Sequence, residues 1–91
     1  MTTIDNDLAV RRKRLSFRAW HRGMREVDLL LGRFADAHLA DLGGADLAAF
    51  EALLDVPDQD VLAWLTNTGG PPVGAAEPVL GRVYAFHHGG A

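Results

Sequence analysis

The sequence predicts an all-α fold, a compact five-helix bundle. Apolar residues recur at three- and four-residue intervals in every apolar segment, and no convincing two-residue alternation appears. Gly and Pro gather at a few points, which read as helix boundaries. With 91 residues, 48% of them apolar, the chain has room for one domain over 1–91 and one modest core. Its ends, about 1–6 and 87–91, are expected to fray.

The first helix is expected from about Asp7 to Trp20. Asp5, Asn6 and Asp7 can each accept from the free N–H groups of a first turn. Leu8, Leu15 and Ala19 fall on a core-facing side, while Arg11, Arg14 and Arg18 stay wet, their stems covering apolar surface. The second helix is expected from about Gly23 to Leu39 or Ala40, with the stripe Val27, Leu30, Leu31, Phe34 and His38, the last at the core edge. Gly43 or Gly44 suits a left-handed C-terminal position after it. A third helix, about Ala45 to Leu54, buries Leu47, Phe50, Leu53 and Leu54, and Pro57 breaks the chain after it. Asp58 reads as the cap of a short fourth helix packed through Val61, Leu62, Trp64 and Leu65. The Gly69-Gly-Pro-Pro72 run stops it. A fifth helix is expected from about Glu77 to Phe86, with Pro78 tolerated in its first turn. Val27, Leu31, Phe34, Leu47, Phe50, Leu54, Leu62 and Leu65 should be mostly buried.

The net charge of −3 conceals an asymmetry. Residues 1–33 carry a net +4 and residues 34–91 a net −7, so the first third is the pole that could meet an anionic partner. A nucleic-acid binder using Arg11–Arg18 is one class this allows. The acidic remainder and the lack of any docking motif argue against it. With no cysteine, disulfides and thiolate metal sites are excluded. His21, His38, His87 and His88 show no metal-ligand spacing. No apolar run approaches the ~18 residues of a membrane span. The first seven residues lack a signal-peptide pattern, and Asp5 and Asp7 are unlike an acid-poor transit peptide, so a cytoplasmic location is expected. There is no nucleophile elbow. Gly69-Gly70 precedes two prolines instead of a helix start and cannot cradle a phosphate in the usual way. An enzyme acting alone is therefore not expected, nor is a tightly bound cofactor.

The segment Trp20-His-Arg-Gly-Met-Arg-Glu-Val-Asp28 stands out. On a helical wheel Arg22, Arg25, Glu26 and Arg33 share a face turned away from the core stripe. Arg22 and Glu26, four apart, can touch. Such a pair on an exposed helix is worth only about 0.2–0.5 kcal/mol, too little for folding to require it. Leu29 falls inside this charged stripe and could anchor a docking site. Gly23 near a helix start implies either a positive φ at a sharp turn or the close approach of another backbone. An ordinary solvated face is the competing reading of the charges.

The run His21-Arg-Gly-Met-Arg-Glu-Val-Asp28 resembles the Arg-Gly-x-x-Glu signature of the succinate dehydrogenase flavinylation factors, the SdhE/YgfY type and its mitochondrial relatives. Leu29-Leu-Leu-Gly-Arg-Phe34 and Leu53-Leu-Asp-Val-Pro-Asp58, followed by Asp60-Val-Leu-Ala-Trp-Leu65, are also similar. The resemblance covers about residues 8–68. It implies a five-helix bundle that promotes covalent attachment of FAD to a histidine of the dehydrogenase flavoprotein subunit, and often of the related fumarate reductase subunit. Arg22, Gly23 and Glu26 match the signature, with Arg25 and Asp28 beside it. Together with Leu29 these are the expected partner-binding residues of a monomer that acts on FAD held by its partner. An antitoxin-like or inhibitory module using the same surface is the alternative.

Overall fold

The computed structural model describes the backbone of residues 3–89 and the side chains of 7–89. It is all-α: α1 Thr3–Trp20, α2 Arg25–His38, α3 Gly44–Leu53, α4 Asp58–Leu65 and α5 Glu77–His87, with a short 3₁₀ turn Leu39–Asp41 after α2. No strand occurs among the described residues. Of the ends expected to fray, residues 1, 2, 90 and 91 lie outside the described residues. Thr3 to Asn6 extend α1 four residues beyond the expected start, and His87 closes α5 instead of opening a tail.

The helices meet round one apolar cluster. Leu15 and Ala19 of α1, Val27, Leu31, Phe34 and Ala35 of α2, and Leu47, Phe50 and Leu53 of α3 are buried, as are Val61, Trp64 and Leu65 of α4 and Val79, Leu80 and Val83 of α5. No polar or charged residue among the described ones is fully buried, so apolar packing supplies the drive to fold. α1 packs chiefly on α2, and α3 on α5. Leu62 departs from the expected core. Val61, Trp64 and Leu65 take the inward side of the two-turn α4, leaving Leu62 half-buried at its flank.

Several helix ends differ from those read off the sequence. α2 starts at Arg25, two residues late, because His21–Met24 form a turn. Neither Gly43 nor Gly44 closes α2. His38 leads into the 3₁₀ turn, and Gly43, extended at φ −112°, is the N-cap of α3. Pro57 is the N-cap of α4, which makes Asp58 its first residue, with its carboxylate free for another use. Asn67, with φ +63°, turns the chain out of α4, and the Thr68 and Gly69 N–H groups donate back to the Ala63 carbonyl.

The α1–α2 junction is tight for a reason absent from the periodicity. A Cβ at Gly32 would lie 2.3–2.7 Å from ring atoms of Trp20. The indole therefore lies flat on the α2 backbone, and its Nε1–H donates to Asp36 at 3.2 Å. That contact brings the end of α1 down onto α2 and confines the intervening turn.

Candidate functional site

Arg22 and Gly23 sit on that turn, and Glu26 in the first turn of α2 that follows it. α1 ends at Trp20, and the His21 N–H closes a last turn onto the Arg18 carbonyl at 3.2 Å. Gly23 has φ +106°, a conformation L side chains rarely adopt, and nothing lies within 4 Å of where its Cβ would be. Of the two explanations for this glycine, the positive φ at a sharp turn is the one present in the isolated chain. Asp28, in the first turn of α2, reaches back and accepts from the Arg22 N–H at 2.6 Å. Its negative charge also suits the positive end of the helix.

Arg22 is the principal correction to the sequence reading. The helical wheel placed it on an exposed face within reach of Glu26. It stands instead outside α2, with its side chain only 11% exposed. Its Nε donates to Asp58 Oδ1 at 2.9 Å, its Nη2 to the Val56 carbonyl at 2.6 Å, and its Nη1 to the Leu54 carbonyl. All three guanidinium nitrogens are engaged with the turn between α3 and α4. The planar fork of arginine suits this use and the single ammonium of lysine does not. The wheel failed because it carried helical phase through Gly23, where the chain is not helical.

The remaining signature residues divide by exposure. Gly23, Arg25, Glu26 and Leu29 are exposed, and Asp28 is half-buried. Arg25, Glu26 and Leu29 follow one another along the outer side of α2, so the charged stripe with a leucine in it is real, without Arg22.

Two open clefts involve residues of the turn or of this stripe. One, of about 420 Å³, lies over the Arg22 clamp between the end of α1 and the α3–α4 turn. Phe17, Arg18, His21 and Asp55–Asp58 line it. Phe17 is 64% exposed and stacks on His21, ring centroids 4.0 Å apart and 16° from parallel. Arg18 bridges its rim to Asp55 at 2.8 Å. The other, of about 340 Å³, is more apolar and lies between α2 and α4, lined by Glu26, Leu29, Leu30, Arg33, Leu62, Thr66 and His87.

His87 was read as part of a frayed tail. Its Nε2 instead lies 2.8 Å from the Leu30 carbonyl of α2, and the neighbouring His88 Nε2 lies 2.8 Å from the Leu65 carbonyl of α4. Burial holds the His87 pKa below its ordinary value. The Leu30 carbonyl opposes that shift, and His88 and Arg33 add to it. Adjacent histidines on a helix point about 100° apart, which lets one reach α2 and the other α4. The sequence reading also passed over Gly32 and the second role of Asp58. A glycine inside a helical pattern, away from either end, was the available signal for Gly32.

Among the described residues no group of three or more His, Asp or Glu side chains could hold a metal ion. Among the described residues no helix is long and apolar enough to cross a membrane.

Fold and site together define a class: a small α-helical bundle whose first two helices form a glycine-turned hairpin, closed from below by an arginine and exposing charge above. Residues 13–87 match the family model described as the flavinator of succinate dehydrogenase. The chain is 38% identical over 79 residues to the FAD assembly factor SdhE of Acetobacter pasteurianus, covering 87% of this chain and 72% of that one. It is 35% identical over 77 residues to the mitochondrial succinate dehydrogenase assembly factor 2 of Yarrowia lipolytica, covering 80% and 53%. With the same-named protein of Scheffersomyces stipitis it shares 41% identity over 60 residues, covering 66% and 40%. The chain thus spans most of the bacterial relative and about half or less of these mitochondrial ones. No solved structure matches it. This chain belongs to the succinate dehydrogenase flavinator family.

Proposed function

We propose that this protein is an assembly factor for the flavoprotein subunit of succinate dehydrogenase, and that it promotes covalent attachment of FAD to that subunit. The observation that carries the reading is the match of residues 13–87 to the flavinator family, with Arg22, Gly23 and Glu26 in place. The names of the relatives, FAD assembly factor and succinate dehydrogenase assembly factor 2, point the same way. Neither name describes an antitoxin or inhibitor, and that alternative is not carried forward.

On this reading the protein is not an enzyme. Flavin and recipient histidine both belong to the partner. Attachment through the flavin 8α-methyl group requires that carbon to lose a proton while negative charge spreads into the ring. A small bundle can favour this by holding the partner's flavin-binding region in the geometry where the reacting groups are aligned. Arg25 and Glu26 offer charges of both signs to polar groups on the partner, Leu29 offers an apolar contact between them, and Gly23 lets the two backbones come close. Arg22 and Asp28 contribute from beneath, by holding the turn. The factor itself binds FAD weakly or not at all, works as a monomer in the bacterial cytoplasm, and also serves the related fumarate reductase subunit.

The test is in-gel fluorescence of covalent flavin on the dehydrogenase subunit, with and without this protein. Addition of the protein is expected to raise the signal. Gly23→Arg and Glu26→Ala should lower it while circular dichroism shows the helices intact. A signal indifferent to the protein would refute the proposal. Variants that lose helicity in step with activity would make the motif structural only.

A further inference from the structure

Asp58 lies 36 residues beyond Arg22 and outside the signature, yet the two side chains meet at 2.9 Å with exposures of only 11% and 20%. The pair joins two surface turns with little else between them. The α3–α4 turn has its own short bonds, Asp55 N–H to the Ala52 carbonyl and Val56 N–H to the Leu53 carbonyl. Its outward-facing Leu54 and Val56 carbonyls are taken by Arg22. Among the described residues the other side-chain tie at this end, Arg18–Asp55, is exposed, with side-chain exposures of 37% and 72%, and so is expected to be weak. From the other side, Asp28 fixes the Arg22 backbone N–H, and Gly23 follows directly at φ +106°. One continuous chain of contacts thus runs from Asp58 through Arg22 to the glycine turn and the first turn of α2, where Arg25 and Glu26 stand.

We propose that Asp58 is a positioning residue for the signature surface: through Arg22 it locks the Gly23 turn to the α3–α4 turn, so that both are presented to the partner as one rigid face. The inference deepens, and rests on, the reading that this surface docks on the flavoprotein. Physically, a docking face gains most when its geometry is fixed before the partner arrives, because less ordering remains to be done on binding. A guanidinium held by a carboxylate and two carbonyls is such a fixture. The carboxylate supplies the charge-assisted member of the set. Removing it leaves the arginine held only by the two neutral carbonyls.

A second carboxylate provides the control. Asp60 stands in the same first turn of α4 and is exposed, with no ion pair among the described residues. Asp58→Asn and Asp60→Asn therefore remove the same charge from the same helix end, and only Asp58→Asn takes the charge assistance out of the link to Arg22. The experiment measures covalent-flavin yield on the dehydrogenase subunit for the parent, Asp58→Asn, Asp60→Asn, Arg22→Gln and the Arg22→Gln/Asp58→Asn double variant. Circular dichroism at the assay temperature normalises each yield to folded protein, so that a defect of stability alone disappears. Per folded molecule, Asp58→Asn and Arg22→Gln are expected to lose activity by a similar factor, about ten-fold. The double variant should be no worse than the poorer single one, as residues acting as a unit behave. Asp60→Asn should match the parent. Glu26→Ala, run alongside, separates the two ideas. If Glu26→Ala lowers the yield while folded Asp58→Asn retains the parent's activity, the positioning role is wrong and the docking reading stands. Losses that multiply in the double variant, or an equal loss in Asp60→Asn, also overturn it. If the parent protein does not raise the yield at all, the docking reading itself fails.

Discussion

At its C-terminal end α2 is gripped by rings. Phe34 lies 5.6 Å from Phe50 of α3 and meets Phe86 of α5 edge-on at 5.7 Å, while His38, half-buried one turn further on, fills the angle between Phe34 and Phe86. At its N-terminal end the grip is polar: Asp28 to the Arg22 backbone, and the Arg22 side chain to Asp58 and two carbonyls. The contrast shows how stability and presentation are divided in a chain this short. Aromatic burial is non-directional and large, and it holds the helix without fixing the last turn of any loop. Hydrogen bonds contribute less net stability, but they specify distance and direction, and so they fix the shape of the turn. Of the charged residues the sequence singled out, Arg22, Arg25 and Glu26 gather at this polar end, while Arg33 lies towards the other.

The contrast can be broken most forcefully at the aromatic end. Phe34→Ala or Phe50→Ala should cost about 3–5 kcal/mol by chemical denaturation. A domain of this size holds about 5–15 kcal/mol in total, so either change threatens the whole fold. A melt as high as the parent's would show that the rings do not bear the helix. A smaller effect tests the seam between the two ends. Gly32→Ala inserts a methyl 2.3–2.7 Å from the Trp20 ring, which must then lift. A loss of roughly 1–3 kcal/mol is expected, the range for overpacking a filled site, together with a changed near-ultraviolet dichroism of the indole. An unchanged indole signal would mean the close contact is not the reason for the glycine.

The smallest effect sharpens the comparison by asking how α5 is held against both helices. His87 has its pKa held below the ordinary 6.5, mainly by burial, so the folded chain favours the neutral ring. Between the lowered value and 6.5 the unfolded chain binds more protons, and stability rises with pH there. Stability is therefore lost as pH falls below 6.5, and the loss levels off beneath the folded-state value. His87→Gln, whose amide can still donate to the Leu30 carbonyl, should show a shallower fall between about pH 7 and about pH 5 in denaturant titrations. Parallel curves for the two proteins would remove His87 from the account.

Much of the bundle was legible because its core obeys one period. Leu15, Ala19, Val27, Leu31, Phe34, Leu47 and Phe50 are where a 3.6-residue repeat puts them, and all are buried. Leu62 followed the same logic and is only half-buried, since a two-turn helix with three better-placed apolar residues has no inward room for a fourth. Arg25, Glu26 and Leu29 were placed correctly on the outside, because they lie within α2 where the wheel holds. Arg22 was misplaced because phase is lost at a glycine turn. Its true partners are more than thirty residues away, and a contact at that separation leaves no periodic trace. The Trp20–Gly32 seam is hidden for the same reason. Sequence pattern reports which side of an element faces inward, and does not report which two elements touch.

The span from Arg22 to Asp58 also sets an order of events at synthesis. All of the Arg-Gly-x-x-Glu letters are polymerised before the residues of the α3–α4 turn. A chain stopped at Leu53 carries the complete motif, yet its arginine has neither the Leu54 and Val56 carbonyls nor the Asp58 carboxylate to close on. The motif is therefore not portable: a peptide copying residues 20–28, or a graft of those residues onto another helical hairpin, would reproduce the spelling without the shape. The clamped shape arrives only when the second half of the protein has folded back to meet the first.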